Sequence, residues 1–126
     1  MEENPIELGD LECDVMQLVW ARGPLTSEAV REGLSRPLKE STIRTVLKRL
    51  EDKSFVRHSV RGRTFVFVAT ETRRDVAARA VRRIADRLCN GSVEEVLAGM
   101  ANSAMLDPAQ LRNLAKKIKK AKRRKT

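Results

Sequence analysis

Aromatic side chains are scarce in this chain: three phenylalanines, one tryptophan and no tyrosine among 126 residues. A core must therefore be assembled from Leu, Val, Ile and Ala, and at 41% hydrophobic composition there is enough of them. That choice favours helices over a β-sandwich. Histidine occurs once, at His58, and cysteine twice, at Cys13 and Cys89. With no Cys-x-x-Cys and no Cys/His pair at ligand spacing, neither a metal site nor a cofactor is expected. The two cysteines read as small hydrophobes rather than as a disulfide. No apolar run approaches the roughly eighteen residues that a membrane-spanning helix needs, so no membrane insertion is expected. The N-terminal MEENPIELGDLE is acidic and lacks the apolar stretch of a secretory signal. His58 has no acid or nucleophile beside it in a motif, and no glycine-rich loop is built to grip phosphates, so an enzyme is not expected. These exclusions leave a cytoplasmic protein of one small domain, or one domain with an extension.

What the chain has in excess is positive charge, and it is unevenly placed. The formal net charge is +9. Residues 1–40 carry −5, residues 41–67 carry +5, residues 68–115 carry +1 and residues 116–126 carry +8. The high isoelectric point is thus mostly the work of the tail KKIKKAKRRKT, which suits any polyanion. The middle segment is more telling, because Arg44, Lys48, Arg49, Lys53, Arg57, Arg61 and Arg63 sit inside a regular apolar rhythm.

That rhythm gives the elements. Leu8, Leu11, Val15, Met16, Leu18 and Val19 form a helical stripe running into Trp20, with Asp10 as N-cap and Gly23-Pro24 as terminator. Leu25-Thr26 is long enough only for a bridge strand. Thr26 or Ser27 then caps a second helix, which Pro37 ends. A third helix opens at Ser41 or Thr42. Its inward set is Ile43, Val46, Leu47 and Leu50; Ser41, Arg44, Thr45 and Lys48 lie opposite, with Arg49 at the margin. After Ser54 the period changes to that of a hairpin, Phe55 to His58 and Arg63 to Val68, turning at Arg61-Gly62. The helical period returns from Thr72 to Leu88. Ser92 and Glu95 form a capping box for a short helix, and Asp107-Pro108 starts a last one.

Three helices and a basic hairpin describe a winged helix-turn-helix, a mainly α fold with a small β component, followed by further helices. A charged back opposite an apolar stripe is common to surface helices; the basic hairpin directly after it points to nucleic acid. Ser41 and Thr45 can bond to phosphates or base edges, and Arg44 and Lys48 can reach purine acceptors; Thr42 and Arg49 complete the set expected to serve the recognition helix. Arg61 and Arg63 in the wing can neutralise phosphates or enter a minor groove.

The runs LGDLECDVMQLVWARGPLTSEAV, STIRTVLKRLEDKSFVRHSVRGRTFVF and SVEEVL resemble the penicillinase-repressor (BlaI/MecI) family, which includes the copper-responsive CopY repressors. The resemblance spans roughly residues 8 to 115. It implies a homodimeric bacterial repressor that binds double-stranded DNA at a palindromic operator and is inactivated by a signal, in some members through a membrane sensor-protease. It also implies that the region after the wing makes the dimer. Apolar residues fit that role: Val76, Ala80, Ile84 and Leu88, then Val93, Val96, Leu97 and Met100, then Leu111, Leu114 and Ile118. The alternative is that these helices fold back on their own domain.

Three departures stand out. Ser54 replaces the family's usual glycine after the recognition helix, which makes a left-handed cap there costlier or absent. The Asn–aromatic pair cut in proteolytically regulated members corresponds to Gly99-Met100, which departs from that pattern and leaves the loop Ala101 to Leu106 as the candidate. The paired-cysteine motif of the copper branch is missing, which argues against a metal inducer. The expected organisation is a winged domain at 8–70, a helical dimerisation region at 71–118 and a disordered basic tail at 119–126. The rival readings are a winged protein-interaction module that has lost DNA, and a non-specific nucleic-acid binder driven by the tail.

Overall fold

A computed structural model describes residues 6–125, with side chains to Lys122; the first five residues of the acidic N-terminus lie outside it. The chain forms two compact units, residues 1–80 and 81–126.

The first unit begins with helix α1 (Asp10–Arg22). Its N-cap is Gly9 rather than Asp10, because the Glu12 carboxylate reaches back to accept the Gly9 N–H at 2.8 Å. The helix ends at Gly23, whose N–H bonds to the Val19 carbonyl. A Cβ on Gly23 would stand 2.5 Å from that oxygen, so only glycine fits this exit. Strand β1 (Leu25–Thr26) leads directly into helix α2 (Ser27–Gly33), with the Thr26 hydroxyl accepting from the Ala29 N–H. Helix α3 (Glu40–Asp52) starts a residue earlier than the hydroxyl pattern predicts, on Lys39, without a side-chain cap. Its inward face is the predicted one: Ile43, Val46, Leu47 and Leu50 are all buried.

Strands β2 (Val56–Arg61) and β3 (Thr64–Ala69) form the hairpin, and β1 adds to its far side in the order β1-β3-β2, all antiparallel. Arg61 pairs with Thr64, so the turn is Gly62-Arg63 and not Arg61-Gly62. Gly62 takes φ +65 while Arg63 does not take positive φ, the pattern of a type II′ turn with glycine first.

Val15, Met16, Val30, Ile43, Leu47 and Phe55 form the centre of one core. Helix α4 (Arg73–Leu88) contributes Val76 to it, and the unit boundary at Ala80/Val81 falls inside this helix rather than at residue 70. The chain is tied at that point by the Trp20 indole N–H, which donates to the Glu71 carbonyl at 2.9 Å. Val76, at 4% exposure, and the buried Ala80 are therefore already covered within one copy, and leave the set predicted for dimerisation.

The second unit holds the rest of α4, helix α5 (Val93–Asn102) and helix α6 (Pro108–Lys125). Ser92 caps α5 through its hydroxyl and the Glu95 N–H. Asp107 and Gln110 exchange side-chain and backbone hydrogen bonds at 2.8 and 2.9 Å ahead of Pro108. Helix α6 runs on to Lys125 through residues expected to be a disordered tail. Lysine, arginine and alanine are all good helix formers, and an established helix propagates through them despite like charge. The side chains of the last four residues lie outside the described part. No helix among the described residues is long and apolar enough to cross a membrane.

Candidate nucleic-acid interface

The thirteen residues of α3 make a rod about 20 Å long at 1.5 Å per residue, and its diameter of about 10–12 Å is what a DNA major groove about 12 Å wide admits. Its outer face carries Ser41, Arg44, Thr45, Lys48 and Arg49, all exposed; Thr42 is half-buried at the edge. Two of the cations are held by exposed intrahelical ion pairs four residues apart, Arg44 to Glu40 at 3.0 Å and Lys48 to Asp52 at 3.4 Å. Pairs so exposed are worth well under about 1 kcal/mol and open readily for a stronger anion. The Thr45 hydroxyl donates to the Ser41 carbonyl at 2.9 Å, so its oxygen is still able to accept a hydrogen bond.

Across from α3 stands the hairpin, with Arg61 at the end of β2 and Arg63 in the turn, both exposed. Arg49, Arg57, Arg61 and Arg63 have no acidic partner among the described residues. A cleft of about 770 Å³ separates α3 from the hairpin, lined by Arg44 and Lys48 on one side and Arg63, Phe65 and Phe67 on the other. The structure thus brings most of the predicted side chains to one face of the first unit.

Lys53, counted with the basic cluster in the sequence, faces elsewhere. Its ammonium donates to both Glu12 oxygens at 2.9 and 3.0 Å and to the Glu7 carbonyl at 3.0 Å. Glu12 is buried at 8% exposure, so this lysine fastens the end of α3 to the start of α1. His58 also differs from its sequence reading. The Glu51 carboxylate accepts from its Nδ1 at 2.6 Å, and its ring stacks on Phe65 at 4.2 Å between centroids, inclined by 12°. Glu51 and His58 are seven residues apart on a helix and a strand, so no local motif could announce the pair.

The left-handed cap is present in spite of the serine. Ser54 takes φ +68, its N–H donates to the Glu51 carbonyl at 2.9 Å, and the Phe55 N–H donates to Leu50 at 2.8 Å. These two bonds are a Schellman motif, and Phe55 and Leu50, both buried, supply its hydrophobic contact. Both cysteines are free. Burial, then Asp10, Asp14 and Glu12, push the Cys13 thiol up, away from the reactive thiolate. No group of three or more His, Cys, Asp or Glu among the described residues could hold a metal ion.

In the second unit, Leu88 (80% exposed), Met105, Leu111 and Ile118 stand in solvent. Ile84, Val93, Val96, Leu97, Met100 and Leu114 are half-buried, and Ala85 alone is fully buried among the described residues there.

The profile of the penicillinase repressor family matches residues 8–120. The chain is 25% identical over 121 residues to the penicillinase repressor of Bacillus licheniformis, covering 94% of each protein. It is 28% identical over 116 residues to an uncharacterised 16.5 kDa protein of Latilactobacillus sakei, covering 90% of this chain and 80% of that one. Its fold is similar to that of a transcriptional regulator from Thermotoga maritima, with a TM-score of 0.51 at 18% identity, covering 94% of this chain and 78% of the other. The winged architecture, the basic face of α3 and the match across nearly the whole chain agree: the protein is a transcriptional regulator belonging to the penicillinase repressor family.

Proposed function

We propose that the protein is a homodimeric, sequence-specific repressor that lays α3 in the major groove of a palindromic operator and sets its wing on the flanking backbone. The observation that carries DNA binding is the exposed face Ser41, Arg44, Thr45, Lys48 and Arg49 of α3, from which Arg44 and Lys48 line a cleft across from Arg63 of the wing, with Arg61 exposed beside that turn. Five cations there lack an acidic partner among the described residues or hold one only through an exposed ion pair: Arg44, Lys48, Arg49, Arg61 and Arg63. Phosphates relieve their mutual repulsion, while arginine reads guanine through two parallel hydrogen bonds.

Pairing of two copies is supported by the second unit. Helices with a single fully buried residue among those described, and with Leu88, Met105, Leu111 and Ile118 exposed, have too little interior to stand without a partner. A two-fold axis through Ile84, Leu88, Val93, Val96, Leu97, Met100, Leu111, Leu114 and Ile118 covers that surface and duplicates the recognition helix. The protein then acts in the cytoplasm, and its inactivation follows the family's use of an external signal. Cleavage by a sensor-protease in the loop from Ala101 to Leu106 is one such route, since Ala101 to Met105 are exposed and Leu106 is half-buried. Gel-shift titration tests the DNA reading: Arg44→Ala and Lys48→Ala each cost roughly 1–3 kcal/mol on the operator if they read bases. Wild-type affinity in both variants contradicts the assignment.

A further inference from the structure

The face of the wing that looks into the cleft carries Phe65, Phe67 and Val60 with one polar residue, His58, among them, and only its inner half is covered. His58 and Val60 of β2 lie on that face, opposite Phe67 and Phe65 of β3. Phe67 is buried in the core, His58 is half-buried, and Phe65 and Val60 are 50% and 57% exposed. Phe65 and Val60 together leave an apolar strip exposed beside the recognition helix, a surface suited to an apolar group of whatever α3 binds. The exposed strip is bracketed by cations that line the cleft, Arg44 and Lys48 from α3 and Arg63 at the tip. Of the three carboxylates lining the cleft, Glu40 is engaged by Arg44 and Glu51 by His58, which leaves Glu28. An occupant that is anionic on both flanks and apolar between them is a nucleotide strand. In the major groove, where α3 is proposed to lie, the one apolar group that bases present is the C5-methyl of thymine.

We propose that Phe65, with Val60 beside it, packs on a thymine methyl of the operator and reads that base as thymine. Glu51 and His58 are positioning residues: the Glu51 carboxylate fixes the imidazole, and the imidazole lies flat against the Phe65 ring, holding it toward α3. The edge contact of Phe67, 6.5 Å from Phe65 at 64°, backs the same ring from the core side. This inference rests on the DNA-binding reading above and adds a specificity element outside α3.

The test uses the full chain and an operator recovered from random duplex DNA. Each operator thymine is replaced in turn by uracil, which removes only the methyl, and affinities are measured for wild type, Phe65→Ala, Phe65→Leu and His58→Gln. Wild type loses roughly threefold to fivefold at one thymine in each half-site, the effect of one methyl leaving an apolar contact. Phe65→Ala binds more weakly and shows no further loss at that thymine; Phe65→Leu keeps part of the discrimination. His58→Gln retains a hydrogen bond to Glu51 but loses the ring, and its discrimination at that thymine falls. A wild-type circular-dichroism spectrum and a cooperative thermal transition show that each variant is folded. Uracil losses of equal size in wild type and Phe65→Ala at every position overturn the proposal while leaving DNA binding intact. A selection that recovers no operator overturns the underlying reading as well, and the two failures are distinct.

Discussion

At Ser54 the backbone occupies a left-handed conformation, φ +68, that an L side chain adopts at a cost of roughly 1–2 kcal/mol. The Schellman hydrogen bonds and the burial of Phe55 against Leu50 outweigh that cost, and they do not depend on the serine side chain. Ser54→Gly keeps the cap and removes the strain, partly offset by the freer unfolded chain. It should raise stability by about 1 kcal/mol, read as a higher denaturant midpoint at unchanged slope. Lys53 behaves in the opposite sense. Its removal leaves the Glu12 carboxylate buried with only the Gly9 N–H, so Lys53→Met should destabilise by roughly 1–3 kcal/mol, while DNA binding by the remaining folded protein stays near wild type. The charge count alone groups Lys53 with Arg44 and Lys48. Only the three-dimensional approach of α1 to the end of α3 separates a fastening from a reader.

Elements whose partners are local were legible in the sequence, and those decided at long range were not. The buried stripe of α3 and the Ser92 and Asp107 caps follow from spacing alone, because each is set within about one helical turn, whereas the two-residue bridge strand finds its partner only in β3. The start of α1 was misread because a carboxylate three residues inside the helix, rather than the expected Asp10, serves Gly9. The hairpin turn shifted by one residue because register is fixed by the pairing of Val56 with Ala69 and onward, which composition does not reveal. The end of α6 was misread because like charge suggested disorder where helix propensity prevails. Two element-level outcomes follow. Gly99 lies in the exposed interior of α5 with open space where its Cβ would be, so Gly99→Ala should stabilise the second unit by about 0.5–1 kcal/mol, measured by thermal unfolding. At the entry to α4, Arg79 donates to both Glu71 oxygens at 2.6 and 2.9 Å and holds that carboxyl below its usual range. A depressed carboxyl contributes stability above its unfolded value and loses it as pH falls through its folded value. Glu71→Gln should therefore cost less than about 1 kcal/mol near neutral pH, the pair being exposed, and nothing once the Glu71 carboxyl is protonated in both the folded and the unfolded chain.

For the molecule as a whole, charge and apolar surface are assigned to different tasks. The first unit carries a complete core and the basic face; the second carries apolar side chains with almost no interior. If Arg61 and Arg63 contact phosphates in both copies, Arg61→Gln with Arg63→Gln removes about four contacts per dimer. The slope of log affinity against log salt should then become shallower by roughly 3–4. The lysines of α6 add a second cationic surface, and changing Lys116, Lys117, Lys119 and Lys120 to Gln separates its contribution. Specific binding persists in that variant if α3 and the wing carry recognition, and vanishes if the tail drives binding. The most direct test of the central claim is selection of bound sequences by the full chain from random duplex DNA. The account predicts an inverted repeat whose half-site centres lie about one helical turn apart, roughly 10 base pairs, or a multiple of it. Recovery of no shared sequence, or of one unrepeated half-site, contradicts it.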